Sequence, residues 1–290
     1  MSDGVRKKSL ALCTVCELAH LAEERRMVLG EGKELVQQRA RIREEGPPRN
    51  HFLASLSPDE YQRIASKLVF VELPQGMLLS EPDEPIAYLY FPEHGLISTC
   101  ATTPSGESIE VGMVGREGFS GVAALLCQPE MQHTVVVQTP GSGYRLRASV
   151  MLEEVQQNPK LRQMIDNFLY VQMVTATQSV LCARLHGLQQ RLSRWLLTAA
   201  DRSESEQLLL TQEYMARMLG SRRSTVTVTA QALQEAGMIE YRRGRVNILD
   251  RPKFEAAACE CYRIVKDSHD RLMPKGQKQT AQLVESNGRL

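Results

Sequence analysis

The spacing of apolar residues changes along the chain, and the first regular pattern is a series of short runs. Between positions 68 and 147 these runs are separated by turn residues, mostly proline and glycine. Short runs divided in this way are typical of antiparallel strands in a β-sandwich or β-roll. The predicted strands are Leu68–Leu73, Met77–Ser80, Ala87–Phe91, Leu96–Thr103, Glu107–Val114, Thr134–Thr139 and Tyr144–Arg147.

After Ala148 the apolar residues recur at helical spacing. The pattern predicts a helix over Ser149–Gln157 and a long helix from Lys160 to about His186. One side of the long helix repeats near every 3.5 residues, as in a coiled coil, and this favours pairing with a second copy of the chain. The alternative is packing against its own domain. The predicted dimer interface consists of Leu161, Ile165, Phe168, Thr175, Ser179 and Cys182.

The stretch Leu210–Gly237 predicts two helices joined by a short turn. Thr211 can cap the first helix, Gly220 can end it, and Ser221 can cap the second. This is the layout of a helix-turn-helix that reads DNA, although ordinary helical hairpins share it.

Threonine and valine alternate over Thr225–Thr229, and alone these five residues would suit a strand. The apolar spacing of Val226, Ala230 and Leu233 extends beyond the alternation, so it favours a helix.

A basic hairpin is predicted directly after these helices. Met238–Tyr241 and Val246–Leu249 flank the tight turn Arg242-Arg243-Gly244-Arg245. A hairpin in this place is typical of the wing of a winged helix-turn-helix. A final helix over Phe254–Leu272 and a polar, disordered tail from Pro274 complete the prediction.

Charge is divided unevenly along the 290 residues, although the total is close to neutral. Residues 50–179 contain 7 basic and 14 acidic side chains, a net charge of −7, whereas residues 180–252 contain 11 basic and 7 acidic ones, a net charge of +4. All 11 basic residues of the second segment are arginine. This division indicates an acidic module joined to one that binds phosphate.

Several classes of protein are excluded by pattern. No apolar run reaches the roughly 18 residues of a membrane helix. The N-terminal residues lack the succession of basic, apolar and small residues that is typical of a secretory signal. The seven cysteines are scattered and odd in number, unlike a disulfide framework. We expect a cytoplasmic protein without a membrane partner. It is not expected to be an enzyme, because metal-ligand clusters, nucleophile elbows and phosphate loops are missing from the pattern.

Two cysteine pairs stand close together in the sequence. Cys13 and Cys16 could supply half of a zinc or iron–sulfur site or a redox pair, but a second such motif is missing, so incidental thiols are favoured. Cys259 and Cys261 fall on the predicted final helix, where their side chains would diverge, and no role is predicted for them.

The order of β-roll, long helix and winged helix-turn-helix resembles the Crp/Fnr superfamily of bacterial transcription regulators. The resemblance covers about residues 50 to 255, and Arg191–Leu197, Leu210–Leu233 and the hairpin through Gly244 carry it. It implies an α+β fold whose β-roll is of the double-stranded jelly-roll type. It also implies a homodimer that binds a palindromic operator in double-stranded DNA, with RNA polymerase as a further partner if the protein activates.

The chain departs from the cyclic-nucleotide members of this family. Those members bind the ribose with a Gly-Glu pair and the cyclic phosphate with Arg-Ser or Arg-Thr. Here Gly121-Val122 and His133-Thr134 stand at the matching positions of the candidate effector pocket. Without the arginine a buried phosphate loses a bidentate charged partner. We therefore predict an effector other than cyclic AMP or cyclic GMP.

Other members carry an iron–sulfur cluster or a haem, and no cofactor is predicted for this chain. Cys13 and Cys16 are one ligand short of the N-terminal cluster pattern, and His94 or His133 would be the haem ligand. Both groups remain open, as does a redox-sensing regulator with a thiol or cluster switch in Cys13, Cys16, Cys100 or Cys127. A further alternative is a regulatory binding module that controls an enzyme and does not bind DNA.

The helical projection of the second helix of the helix-turn-helix assigns its DNA contacts. Arg223 matches the first arginine of the family's Arg-Glu-x-x-x-Arg set, and Ser224 and Val228 replace the glutamate and the second arginine. The predicted base-reading residues are Arg223, Ser224, Thr227, Val228 and Gln231. The predicted phosphate contacts are Thr211, Gln212, Arg222, Thr225, Arg242, Arg243 and Arg245.

The predicted organisation has five parts. They are a charged extension (1–48), a β-roll sensor domain (49–159), a dimerisation helix (160–186), a winged helix-turn-helix domain (187–257), and a C-terminal helix with its tail (258–290).

Overall fold

A computed structural model describes residues 48–126 and 130–273 of the chain. The N-terminal extension, Cys127 and the tail from position 274 lie outside the described residues. The described part begins with two short helices, α1 (His51–Ala54) and α2 (Pro58–Ala65). Ser57 and Glu60 form a capping box at the start of α2, where Pro58 occupies the first turn.

Seven strands form a β-roll of two antiparallel sheets. The three-stranded sheet has the order β1-β7-β3, and the four-stranded sheet has the order β2-β6-β4-β5. A 3₁₀ turn, Val122–Leu126, lies between β5 and β6. The strands are β1 (Val69–Leu73), β2 (Leu78–Ser80), β3 (Tyr88–Pro92), β4 (Leu96–Thr102), β5 (Ser108–Val114), β6 (Thr134–Thr139) and β7 (Gly141–Arg147).

Alternating side chains on each strand divide the roll into layers. Tyr90 and Ile97 point into a small core between the two sheets. Leu89 and Phe91, on the other side of β3, belong to a larger core shared with the helices. Leu96, on the outer side of β4, packs against the C-terminal part of the chain.

Three helices follow the roll, namely α3 (Ala148–Gln157), α4 (Pro159–Leu185) and α5 (Leu188–Ser203). Asn158 caps α4 by accepting backbone hydrogen bonds from Lys160 and Leu161, and Pro159 occupies its first position. Helix α5 ends at Ser203, and Glu204 follows it in a left-handed conformation.

A small three-stranded sheet and two helices follow α5, and together with α5 they form what we call the C-terminal unit. Strand β8 (Gln207–Leu209) precedes α6 (Gln212–Met218) and α7 (Arg223–Glu235), and the wing consists of β9 (Ile239–Arg242) and β10 (Arg245–Ile248). The sheet order is β8-β10-β9. Two helices, α8 (Arg251–Ala257) and α9 (Glu260–Leu272), end the described chain. The predicted order of β-roll, long helix and winged helix-turn-helix is therefore confirmed.

The final helix differs from its prediction, because it is divided in two. Ala258 and Cys259 have extended backbone conformations between α8 and α9. Cys259 thereby becomes the N-cap of α9 and leaves the helix proper. The two cysteines of this segment consequently do not diverge as predicted.

The predicted dimer side of α4 also needs correction, because the chain itself covers it. Strand β5 and helices α3 and α9 pack along α4. The buried residues are Leu161, Ile165, Phe168, Thr175 and Cys182, and Ser179 is half-buried. The coiled-coil-like repeat marks an intramolecular seam. No helix among the described residues is both long and apolar enough to cross a membrane.

Candidate nucleic-acid interface

Helices α6 and α7 are joined by a tight turn at the centre of the C-terminal unit. The Thr211 hydroxyl caps α6 by accepting a hydrogen bond from the Tyr214 backbone (3.1 Å), and Gly220 leaves the helix with a left-handed φ of 57°. Ser221 does not cap α7 as predicted. The N-cap is Arg222, which makes no side-chain capping bond.

The alternating threonine and valine residues lie within α7, as the helical interpretation predicted. The threonine hydroxyls bond along the helix, from Thr227 to the Arg223 carbonyl (3.0 Å) and from Thr229 to the Thr225 carbonyl (2.8 Å). Val226, Ala230 and Leu233 are buried in the core of the unit. The spacing of the apolar residues therefore predicted the helix correctly, although the composition of Thr225–Thr229 alone suits a strand.

The outward side of α7 carries the predicted base-reading residues. Arg223, Ser224, Val228 and Gln231 are exposed, and 67% of Val228 is accessible. Thr227 is half-buried, and its hydroxyl proton is shared between the Arg223 carbonyl and Oε1 of Gln212 (2.7 Å). Nε of Arg223 lies 3.9 Å from Oε2 of Glu213, which is a weak contact because both side chains are largely exposed. The exposed side chains of this set are therefore accessible to the base edges in a groove of DNA.

The wing lies beside the start of α6. The Leu210 backbone donates to the Gly244 carbonyl (2.8 Å), so the wing turn is fixed next to Thr211. Of the predicted phosphate contacts, Gln212 is half-buried and the others are exposed: Thr211, Arg222, Thr225, Arg242, Arg243 and Arg245. Exposed arginines next to a helix-turn-helix suit the phosphates of a duplex.

The candidate effector-pocket residues lie in the β-roll. Gly121, Val122, His133 and Thr134 are all half-buried. Val122 packs against the larger roll core, so an apolar contact stands where the resemblance placed a ribose-binding carboxylate. The neighbouring ring of Phe119 stacks on Phe168 of α4, with centroids 4.9 Å apart. The loop is therefore packed directly against the long helix.

Sequence reasoning missed the surface that joins the C-terminal unit to the roll. Trp195 of α5 donates its indole N–H to Oε1 of Glu110 (2.8 Å), and Ser98 donates to Oε2 (2.7 Å). Burial raises the pKa of Glu110 to about 7, although these hydrogen bonds and the charges of Arg202 and Arg194 act in the opposite direction. The lone tryptophan was the signal that could have found this contact.

A buried ion pair lies on the same surface, which we call the docking surface. Nε of Arg202 lies 3.5 Å from Oε1 of Glu117, and only 5% of each side chain is exposed. The backbones also meet closely. A Cβ on Gly115 would lie 2.1 Å from the Arg202 carbonyl oxygen. Only glycine fits this approach without a shift of the backbone.

The candidate redox and haem residues have few features of a reactive site. Cys100 is buried with its Sγ 3.8 Å from Sδ of Met218, and burial raises the pKa of its thiol to about 11. A thiol in such surroundings is a poor nucleophile. His94 lies against the Arg49 guanidinium (3.0 Å), and burial lowers its pKa. Cys13, Cys16 and Cys127 lie outside the described residues.

Comparisons with known proteins match both halves of the chain. A cyclic nucleotide-binding domain model matches residues 70–158, and a Crp-like helix-turn-helix domain model matches residues 190–257. The first match spans the β-roll, and the second spans α6, α7 and the wing. No curated protein sequence matches the chain.

Several solved structures share the fold at low sequence identity. FixK2 from Bradyrhizobium japonicum is 13% identical with a TM-score of 0.57, and the match covers 66% of this chain and 98% of FixK2. The c-di-GMP-responsive global regulator CLP from Xanthomonas campestris is 17% identical with a TM-score of 0.55, over 67% of this chain and 100% of CLP. A Crp/Fnr-family transcriptional regulator from Thermus thermophilus is 22% identical with a TM-score of 0.52, over 65% of this chain and 97% of that one. With both domain models matched in the order found here, the chain belongs to the Crp/Fnr superfamily of transcription regulators and carries its DNA-binding helix-turn-helix.

Proposed function

We propose that the chain acts as a homodimer that reads a palindromic operator with α7, and that Arg223 is its principal base reader. The observation that carries the proposal is the division of α7 into two sides. Val226, Ala230 and Leu233 are buried, whereas Arg223 and Val228 are exposed beside a basic wing. The N-terminal part of a recognition helix meets the base edges, and an arginine there can bind guanine with two hydrogen bonds.

Selection of operators from a random duplex library tests this proposal. A dimer with two-fold symmetry should select two inverted half-sites whose centres lie about 34 Å apart. Each half-site should contain a guanine opposite Arg223, and Val228 should favour a thymine methyl in place of a second guanine. Recovery of unrelated sequences, with no shared half-site, would contradict sequence-specific reading.

The dimer surface is the side of α4 opposite its buried seam. Met173, Thr177, Val180 and Arg184 follow one another at four- and three-residue steps on the exposed side. Met173 and Val180 are 59% and 72% exposed, which is uncommon for large apolar residues on a helix that already buries its other side. Steps of three and four residues are those of a coiled coil. This stripe therefore suits the α4 helix of a second copy.

A charge within the stripe tests the dimer. Val180→Glu should convert the dimer to a monomer in analytical ultracentrifugation, because two buried carboxylates would face each other across the interface. Leu78→Glu is the matched control, since Leu78 is a large apolar residue of the roll that is 51% exposed. A Val180→Glu protein that remains dimeric would place the interface elsewhere.

The effector is proposed to be something other than cyclic AMP or cyclic GMP. The match to a cyclic nucleotide-binding domain supports the shape of the roll, but Val122 and His133 replace the residues that bind ribose and phosphate in such members. An imidazole does not offer the bidentate contact of a guanidinium. Calorimetric titration with either nucleotide should give no heat of binding, and micromolar affinity would contradict the proposal.

A further inference from the structure

Four potential metal ligands from two distant segments meet between α4 and α9. They are Cys182, His186, Cys259 and Cys261, and their ligand atoms all lie within 4.8 Å of one another. Sγ of Cys182 lies 3.5 Å from Sγ of Cys259, and Sγ of Cys261 lies 3.6 Å from Nδ1 of His186. All three cysteines are buried and His186 is half-buried. The three thiols form a cluster separate from the main cores.

Helix ends bring these side chains together. Cys182 lies in the last turn of α4, and His186 is the C-cap of that helix. Cys259 and Cys261 lie at the N-cap and in the first turn of α9. The extended backbone at Cys259 turns its side chain toward Cys261, which a continuous helix would not do.

We propose that Cys182, His186, Cys259 and Cys261 form a tetrahedral site for a thiophilic divalent metal ion, namely zinc. Three cysteines and one histidine are an established structural zinc ligand set. With Zn–S and Zn–N bonds of usual length, a tetrahedron has S···S edges of about 3.8 Å and S···N edges of about 3.6 Å. The Cys182–Cys259 and Cys261–His186 separations lie within about 0.3 Å of these edges, and the other ligand atoms all lie within 4.8 Å of one another.

The histidine is oriented by a residue of the same short motif. Oε1 of Glu260, which stands between the two cysteines, lies 3.2 Å from Nε2 of His186. With its Nε2–H donating to this carboxylate, the ring presents the lone pair of Nδ1 to the three sulfur atoms. A carboxylate behind a ligating histidine is the usual outer partner of a zinc site. Glu260 is therefore a positioning residue.

The compactness of the cluster favours a single ion over the other uses of cysteine. In a [4Fe–4S] cluster each cysteine binds a different iron atom, and in a [2Fe–2S] cluster the four ligands are divided between two iron atoms, so not all of the ligand atoms can lie as close together as in this group. A disulfide between Cys182 and Cys259 would not account for the position of Cys261, His186 and Glu260 beside these two cysteines. A single tetrahedral ion uses all four ligands and the carboxylate.

The position of the site gives the ion a structural consequence. His186 and Gly187 lie between α4, which carries the proposed dimer stripe, and α5, which begins the C-terminal unit. An ion bound here would fix the end of α4 to α9 at this junction. The site would thus hold the long helix and the DNA-binding unit in one arrangement.

Metal analysis of the full chain, purified under reducing conditions, tests the site directly. We expect about one zinc per chain by elemental analysis. Replacement with Co²⁺ should produce the visible absorption of tetrahedral cobalt together with sulfur-to-cobalt charge-transfer bands. These spectra need only the unmodified protein, so they decide the matter even if the variants fail to fold.

Variants locate the ion. Cys261→Ser and Cys182→Ala should lose most of the metal, whereas Cys100→Ser, a change of a buried cysteine elsewhere, should retain it. A double Cys13→Ser, Cys16→Ser variant should also retain it. In competition with a chromophoric chelator, Glu260→Gln should bind zinc about 10–100-fold more weakly with its cobalt spectrum unchanged in type.

Four outcomes would overturn the proposal. The first is protein that contains no metal and gives a featureless spectrum with cobalt. The second is iron with acid-labile sulfide, which would identify a cluster. The third is a Cys182–Cys259 disulfide in protein prepared under reductant. The fourth is loss of the ion from the Cys13, Cys16 variant but not from Cys261→Ser, which would place the site in the N-terminal extension.

Discussion

The outward side of α7 faces solvent and the docking surface joins α5 to the roll, and the arginines of these two surfaces have opposite surroundings. Arg223 is 68% exposed and lies 3.9 Å from an exposed carboxylate. Arg202 is 5% exposed and pairs with the equally buried Glu117. Arg223 therefore remains hydrated and accessible, whereas Arg202 is desolvated and has Glu117 as its partner.

The difference in hydration separates binding from stability. An exposed ion pair contributes little to folding and is easily exchanged for a phosphate or a base. Removal of one partner from a buried ion pair strongly lowers the free energy of unfolding, because the remaining charge stays desolvated and unpaired. Changes on the outward side should therefore alter DNA binding at constant stability, and changes on the docking surface should do the reverse.

The largest expected effect comes from Arg202→Leu. Removal of one partner leaves the Glu117 carboxylate buried and unpaired, so the free energy of unfolding should fall by about 3–5 kcal/mol in urea titration. Arg222→Leu is the matched control on the outward side and should change it by less than about 0.5 kcal/mol. An equal fall in the free energy of unfolding of the two variants would contradict the distinction between a surface that stabilises the fold and one that binds DNA.

A smaller, pH-dependent effect is expected at Glu110. Burial raises its pKa from 4.5 to about 7, so the protonated carboxyl is the form that the docking surface favours. Its contribution to stability is complete below about pH 4.5 and is lost as the pH rises through about 7. Glu110→Gln copies the protonated form. Between pH 5 and 8 the free energy of unfolding of the variant should therefore rise relative to that of the unmodified protein by about 2.5 kcal/mol, at about 1.4 kcal/mol per pKa unit.

That effect is read from urea titrations of both proteins at matched pH values. Glu213→Gln, at an exposed residue of α6, serves as the control and should show no such trend. A constant difference between the Glu110→Gln variant and the unmodified protein across this range would mean that the carboxylate is already ionised at pH 5.

The smallest effect is expected at the wing. If Arg243 binds a phosphate, Arg243→Ala should weaken DNA binding equally for all sequences and reduce the slope of log K against log [salt] by about 1. Stability should stay the same, since Arg243 is exposed. Fluorescence anisotropy at several salt concentrations measures the slope, and an unchanged slope would remove Arg243 from the phosphate contacts.

Local patterns predicted those parts of the fold that depend on neighbouring residues. The strand Thr134–Thr139 was predicted with its observed bounds, and α7 was recognised despite its alternating middle. Both depend on the spacing of apolar residues over a few turns or pleats. The three-residue strand β8 was missed, because its pairing with β10 is what makes it a strand.

Long-range packing produced the features that local patterns did not reveal. The repeat on α4 showed that one side is buried, but not that α9 of the same chain covers it. Cys182 and Cys259 are 77 positions apart, and their approach depends on the break at Ala258 and Cys259. Likewise, the partner of Trp195 is a carboxylate 85 positions away. Such contacts depend on how helices and strands pack against one another. The spacing of apolar residues within one helix or strand does not specify that packing.

The central claim is that α7 reads DNA through Arg223, and operator selection with Arg223→Ala tests it most directly. The variant should lose its base preference at one position of each half-site, with a loss of discrimination of about 1–3 kcal/mol there and the remaining positions unchanged. Arg162→Ala, at an exposed arginine of α4, should select the same operator as the unmodified protein. If Arg223→Ala instead binds every sequence more weakly and keeps its preference at all positions, Arg223 contacts a phosphate and the account of base reading is contradicted.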